Sequence, residues 1–379
     1  MDRRIASIES FRALAILGVI LWHTDLLNML RGFGGGRLLV DLTIDLVWWV
    51  SLPYFFITAG YFFGKSVLTH GTPLAHLRRY FLTLFGILLA WVGVYTVVPT
   101  NWPVAVRDHG LWQPFYSETL KNVNLLATQH VRLFLEGTLP VWHLWFLPAL
   151  MFSLATLTLI AVCRLQGYVI PLIIGLYVLV LTEEVAGGHF LGSTFHLGLW
   201  SIALLFTALG WWLAGREQPS VRTALCLIVG GYVFAFMEGA LMSEYFHSIR
   251  GHHYLGGIVL ALGVFLLALA KPNLGQSTPL PFLAQFTLGI YVSHILVMYT
   301  LTAISWRLQN LFPSLILLWQ FLFPFAVYFL AMLFTLVLSK IPLARYLVTR
   351  TAPVTQTQYQ VGKPITDKNH ISDPKMDVA

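Results

Sequence analysis

Charge is what this chain has least of. Asp, Glu, Lys and Arg make up 10% of its 379 residues, too small a share for a water-soluble domain of this size. Cysteine is scarcer still. Cys163 and Cys226 both lie in or beside apolar stretches, which excludes a disulfide framework and a thiolate metal site. Histidine spacing offers no metal motif either, since His252 and His253 are adjacent and lack a third ligand nearby. No internal repeat recurs along the chain, which argues against an inverted-repeat transporter.

Apolar side chains fill the space that charge leaves. The chain is 57% hydrophobic and 15% aromatic, with a mean hydropathy of +0.74, the composition of an integral membrane protein. Its 30 glycines and 13 tryptophans fit close helix contacts and aromatic belts at the membrane surfaces. The first apolar stretch follows a short basic start, as in a signal peptide, yet no small-residue cleavage site ends it, so we expect it to be retained.

Apolar runs of about twenty residues predict an all-α bundle of ten membrane spans, near 8–27, 44–63, 80–98, 141–162, 168–182, 195–214, 223–241, 254–270, 282–302 and 314–338. An even number puts both termini on one side. With that side cytoplasmic, the inner face carries 16 of the 23 basic residues and the outer face 10 of the 16 acidic ones, in line with the positive-inside bias. The formal net charge of +7 is thereby explained by insertion, and calls for membrane lipid rather than nucleic acid as a partner. The expected organisation is a transmembrane domain over 1–345, with a polar outer loop at 99–138 large enough to fold over an outer mouth. A disordered cytoplasmic tail is expected over 346–379.

Within the first span, Arg12 and His23 stand eleven positions apart, about three helical turns, so they share one face roughly 16 Å apart along the axis. An arginine in hydrocarbon costs about 2.5–3.5 kcal/mol on insertion scales. Either that stripe faces a bundle interior or a wet cavity, or the two side chains snorkel to opposite headgroup layers. Spacing alone leaves both open. The second span holds SLPYFFITAGYFFGKS, in which Pro53, Thr58 and Gly60 suggest a kink and a tight crossing. Its Gly64-Lys65-Ser66 resembles the end of a phosphate loop, but Ala59 stands where that loop needs glycine, and the motif is rejected.

Arg78 and Arg79 open the third span, with Lys65, His70 and His76 upstream. They read as ordinary positive-inside charge or as a clamp for the phosphates of a coenzyme A derivative, since guanidinium binds phosphate bidentately. Trp142, His143 and Trp145 open the fourth span as an interfacial belt or a site. Tyr291, Ser293 and His294 lie past the middle of the ninth, the tyrosine and histidine on one helical face. The remaining candidates, among them Glu183, Glu184, His189, His196, Glu238, Glu244 and His247, fall toward the outside and read as wet loop residues that could line a saccharide cleft.

Taken together these pieces resemble the acyltransferase family 3 membrane proteins, which include O-acetyltransferases of bacterial surface polysaccharides. The likeness rests on Arg12 and His23 in the first span, PYFFITAGYFF at 53–63, Arg78-Arg79, HLWFL at 143–147 and FTLGIYVSH at 286–294, in the family's order from about residue 5 to 345. Where the family has Ser-Gly, this chain has Ala59-Gly60. The resemblance implies a bundle of about ten spans in the bacterial inner membrane, taking an acyl group from cytoplasmic acetyl-CoA to a hydroxyl of a glycan or lipid-linked saccharide. It implies activity for His23, Arg12, Arg78 and Arg79. On that footing Arg78, Arg79 and Lys65 hold the phosphates, Arg12 lines the path or fixes the thioester, His23 acts as base or acyl carrier, and Tyr291 and His294 orient groups across the cavity. His143, Trp145 and Ser293 would meet the acceptor, with no metal involved. The alternatives are a transporter or flippase of a lipid-linked sugar, and a succinyltransferase acting on a periplasmic glucan.

Overall fold

The structure, a computed structural model, describes residues 5–24, 37–99, 102–110, 112–130, 138–185, 197–217, 219–246, 255–311, 315–342 and 344–348. These residues are 88% helical and contain no strand. The protein is an all-α membrane bundle. Among the described residues six helices are long and apolar enough to cross a bilayer: Ala6–His23, Pro73–His109, Trp142–Val162, Val221–Leu241, Leu280–Ala303 and Leu318–Lys340. Three of the other expected spans are shorter apolar helices at Gln166–Leu179, Trp200–Ala214 and Leu255–Ala270. The second expected span lies within a helix of 34 residues that continues unbroken past Pro53.

The site is built by five of these helices: α1 (Ala6–His23), α2 (Arg37–His70), α3 (Pro73–Val97), the helix Phe146–Val162 with the 3-10 turn Trp142–Trp145 before it, and Thr287–Leu311. Between α1 and the last of these the chain forms two helices in the polar segment, α4 (Trp102–His109) and α5 (Gln113–Thr128), then α6 (Phe146–Val162), α7 (Val169–Val185), α8 (Leu197–Ala214), α9 (Val221–Phe246) and α10 (Leu255–Ala270). A one-turn α11 (Leu280–Leu283) leads into α12 (Thr287–Leu311), and α13 (Ile316–Lys340) follows. The largest helix contacts are α9 on α10, α8 on α2 and α12 on α13, followed equally by α1 on α2 and α7 on α8.

Small residues let these pairs approach. A Cβ built on Gly60 of α2 would run into the backbone carbonyl of Thr207 on α8, and one on Gly210 of α8 would meet the carbonyl of Ile57. The two helices therefore cross backbone to backbone, as small-residue interfaces in membranes do. Between α2 and α3 the chain reverses in two residues. Gly71 takes φ +64, its N–H closes α2 on the Val67 carbonyl at 2.9 Å, and Pro73 starts α3, where a missing N–H costs nothing.

The segment expected as an outer loop is mostly helical. It is clipped to the ends of two spans: Trp102 Nε1 donates to Thr300 Oγ1 on α12 at 3.0 Å, and Asn122 Nδ2 donates to the carbonyls of Tyr95 and Thr96 on α3 at 3.2 and 3.3 Å. Asn122 is buried, so these bonds satisfy carbonyls that the end of α3 leaves without helical partners. Residues 349–379 of the expected tail lie outside the described residues. Those just before them pack on the bundle, with Trp91 Nε1 donating to the Leu347 carbonyl at 2.7 Å.

Candidate active site

The interior of the bundle holds a cavity of about 230 Å3. Arg12, Ile16 and Val19 of α1 line it, at positions i, i+4 and i+7, so it follows one face of that helix. Facing rows come from α2 (Leu52, Phe55, Thr58, Ala59, Phe62, Phe63), α3 (His76, Tyr80, Leu84), α6 (Phe146, Leu150, Leu154) and α12 (Thr287, Leu288, Tyr291). Its wall is apolar along most of its length. Polar groups stand at the two ends.

At one end Arg12 is held on both sides of its fork. Nη1 donates to Glu9 Oε1 and Oε2 at 3.2 and 3.0 Å, and Nη2 donates to Thr287 Oγ1 at 2.9 Å. Thr287 in turn donates to the Ala284 carbonyl at 2.9 Å. The Glu9 residue is only 7% exposed, so the arginine's charge is answered by a buried carboxylate. His76 and Tyr80, one turn apart on α3, stack at 4.5 Å at this same end, and His76 Nδ1 pairs with Ser66 Oγ at 2.6 Å.

The other end closes on Tyr291. Its ring packs against Phe146 at 5.3 Å and its hydroxyl donates to the carbonyl of His143. Behind it three imidazoles gather. His294 stacks on His23 at 5.4 Å between ring centroids and meets His143 edge-on at 5.3 Å. Trp142 covers His23 at 4.8 Å, and Tyr95 lies beside His143 at 5.3 Å while its hydroxyl donates to the Val292 carbonyl at 2.8 Å. His294 Nδ1 pairs with the Tyr291 carbonyl at 2.6 Å. Both ring nitrogens of His143 and Nε2 of His294 are buried without a hydrogen-bond partner among the described residues. Buried imidazole nitrogens in that condition are ready to take a hydroxyl or a water.

The expected residues thus divide. Arg12 and Tyr291 line the cavity, and His23, His143 and His294 come together from three separate helices just beyond it. Arg78, Arg79 and Lys65 are exposed near the Arg12 end and do not line the cavity, Lys65 lying over the Tyr61 ring at 5.6 Å. Trp145 packs on Phe56 at 6.3 Å, and the Ser293 hydroxyl donates to the Gly289 carbonyl at 2.8 Å, so neither reaches the cavity. Thr58 lines it, with its hydroxyl donating to the Tyr54 carbonyl at 2.7 Å. Glu238 accepts the N–H groups of Leu255 and Gly256 at 3.1 and 2.7 Å, a cap on α10. His189, His196, His247, His252 and His253 lie outside the described residues. Among the described residues no group of three His, Cys, Asp or Glu could hold a metal ion.

Sequence reading missed Glu9, Thr287, Tyr80 and Tyr95, and named His76 only as a neighbour of Arg78 and Arg79. Glu9 was visible as a carboxylate three residues before Arg12, the spacing at which helical side chains meet.

Neither the curated proteins nor the solved structures give a match to the chain. A family model described as an acyltransferase domain matches residues 5–342, which takes in both ends of the cavity and every helix around it. With an arginine at one end of a membrane-embedded cavity, three imidazoles at the other, and that match over most of its length, the chain belongs to acyltransferase family 3.

Proposed function

We propose that this membrane acyltransferase moves an acetyl group from cytoplasmic acetyl-CoA to a hydroxyl of a cell-envelope or exported glycan. The observation that carries the reading is the cavity itself, which runs along α1 from Arg12 to Tyr291 and ends against the imidazole cluster. Arg78, Arg79 and Lys65 are exposed near its Arg12 end, and His23 lies under Trp142 beyond its Tyr291 end.

The residues present suit a coenzyme A thioester as substrate. A narrow apolar cavity accepts a slender arm, and exposed guanidiniums at its mouth suit phosphates that stay outside. In the reaction His23 takes the proton of the acceptor hydroxyl as its oxygen bonds to the acyl carbon. The carbon–sulfur bond breaks, and the proton goes on to the departing thiolate. His294, stacked on His23 and fixed through Nδ1, and His143, held by its neighbours Tyr95 and Tyr291, orient the acceptor. The inner-membrane location, with both termini cytoplasmic, is part of the same proposal and rests on the charge asymmetry of the loops.

Membranes carrying the protein, supplied with acetyl-CoA, should release free thiol only when the glycan acceptor is added. Absence of thiol release by the wild type, with saccharide still moved across the membrane, would instead establish a transporter.

A further inference from the structure

We propose that Glu9, Arg12 and Thr287 form a charge-compensated binding site for a neutral carbonyl, which takes the thioester or amide portion of the donor and rejects its phosphates. The inference rests on the acyl-CoA reading above and divides the donor between two sites.

The argument is electrostatic. Arg12 lines the cavity, and Glu9, bonded to Nη1 through both carboxylate oxygens, cancels its charge at 3.0 Å. A phosphate brought to this corner would lose its water and meet a pair of net charge zero, so its desolvation would go unrepaid. A carbonyl oxygen asks for less. It needs a donor at a defined place, and a guanidinium has five N–H donors, more than its contacts with Glu9 and Thr287 use. Thr287 sets the plane of the fork from a different helix, and its own hydroxyl proton is already given to Ala284. The lining points the same way: mostly apolar walls suit a chain of amides and methylenes better than a charged nucleotide. Arg78 and Arg79, exposed and outside the cavity, are left for the phosphates.

Kinetics with two donors test the division: acetyl-CoA, and S-acetylpantetheine, which has the same arm without phosphates. Arg12→Ala should raise KM for both by the same factor, about tenfold or more, the value of a lost hydrogen bond from a charged group. Thr287→Val, which leaves the ion pair in place, should shift both donors equally by a smaller factor. Arg78→Ala with Arg79→Ala should raise KM for acetyl-CoA alone. Glu9→Gln removes the compensating charge, and the variant should gain inhibition by inorganic pyrophosphate that the wild type lacks. A loss in Arg12→Ala seen with acetyl-CoA but not with the truncated donor would overturn the proposal, as would pyrophosphate inhibition of the wild type relieved by Arg12→Ala. Turnover of neither donor by the wild type would overturn the acyl-CoA reading and this site with it.

Discussion

His23 and His294 stack with their ring centroids 5.4 Å apart and their planes 20° from parallel, though they stand 271 positions apart in the sequence. Each would be costly alone in the membrane. Paired, and joined by His143, they form a cluster just beyond the cavity, where the proposed reaction would take place.

His23→Ala should therefore lower acceptor-dependent thiol release by about 100-fold or more, the usual contribution of a general base. The variant should still insert, because the histidine ends α1 rather than sitting in its middle. A variant that reaches the membrane and keeps near-wild-type turnover would remove His23 from the chemistry.

The exposed pair Arg78 and Arg79 should act on donor affinity. Replacing both with alanine is expected to weaken acetyl-CoA binding about tenfold, measured by equilibrium binding to detergent-solubilised protein. Unchanged affinity would return both arginines to a role in topology alone.

Packing between α2 and α8 makes a sharper stability prediction. Gly60→Ala puts a methyl group against the Thr207 carbonyl, and forcing the helices apart should cost about 1–3 kcal/mol. Gly93→Ala is the control, since its Cβ would meet nothing within 4 Å. Thermal unfolding in detergent should show the first variant melting earlier and the second no earlier than wild type. Equal midpoints would mean that the crossing is looser than described.

Asn122 couples the polar segment to the site. Its amide holds the carbonyls of Tyr95 and Thr96, and the Tyr95 ring lies against His143. Asn122→Ala should raise KM for the acceptor while leaving KM for the donor unchanged, and should speed limited proteolysis near α5. Equal effects on both substrates would make the segment merely structural.

Much of this site could be read from the residues one at a time. Arg12 and His23 share a helical face because eleven steps of 100° nearly close three turns, and the structure puts Arg12, Ile16 and Val19 on the cavity along that stripe. Which helices face one another could not be read so. Apolar periodicity reports a buried face but carries no address, so the meeting of His23, His143 and His294 required the fold. Glu9 falls within the expected first span, three residues before Arg12, but its burial against that arginine is a property of the packed bundle. Helices α4 and α5 were hidden by their polarity: one face docks on the bundle while Trp112 and Tyr116 stay exposed, a pattern that hydropathy averages away. Pro53 lies inside α2, which carries it without ending.

Tyr291 is tethered at both extremities, by its backbone in α12 and by its hydroxyl on the His143 carbonyl, with Phe146 pressed against its flank. A ring fixed in this manner does not swing like a door. On the proposed reading, whatever passes from the arginine side to the imidazoles would slip by its edge, and this partition would favour a two-carbon unit over a bulkier or charged one.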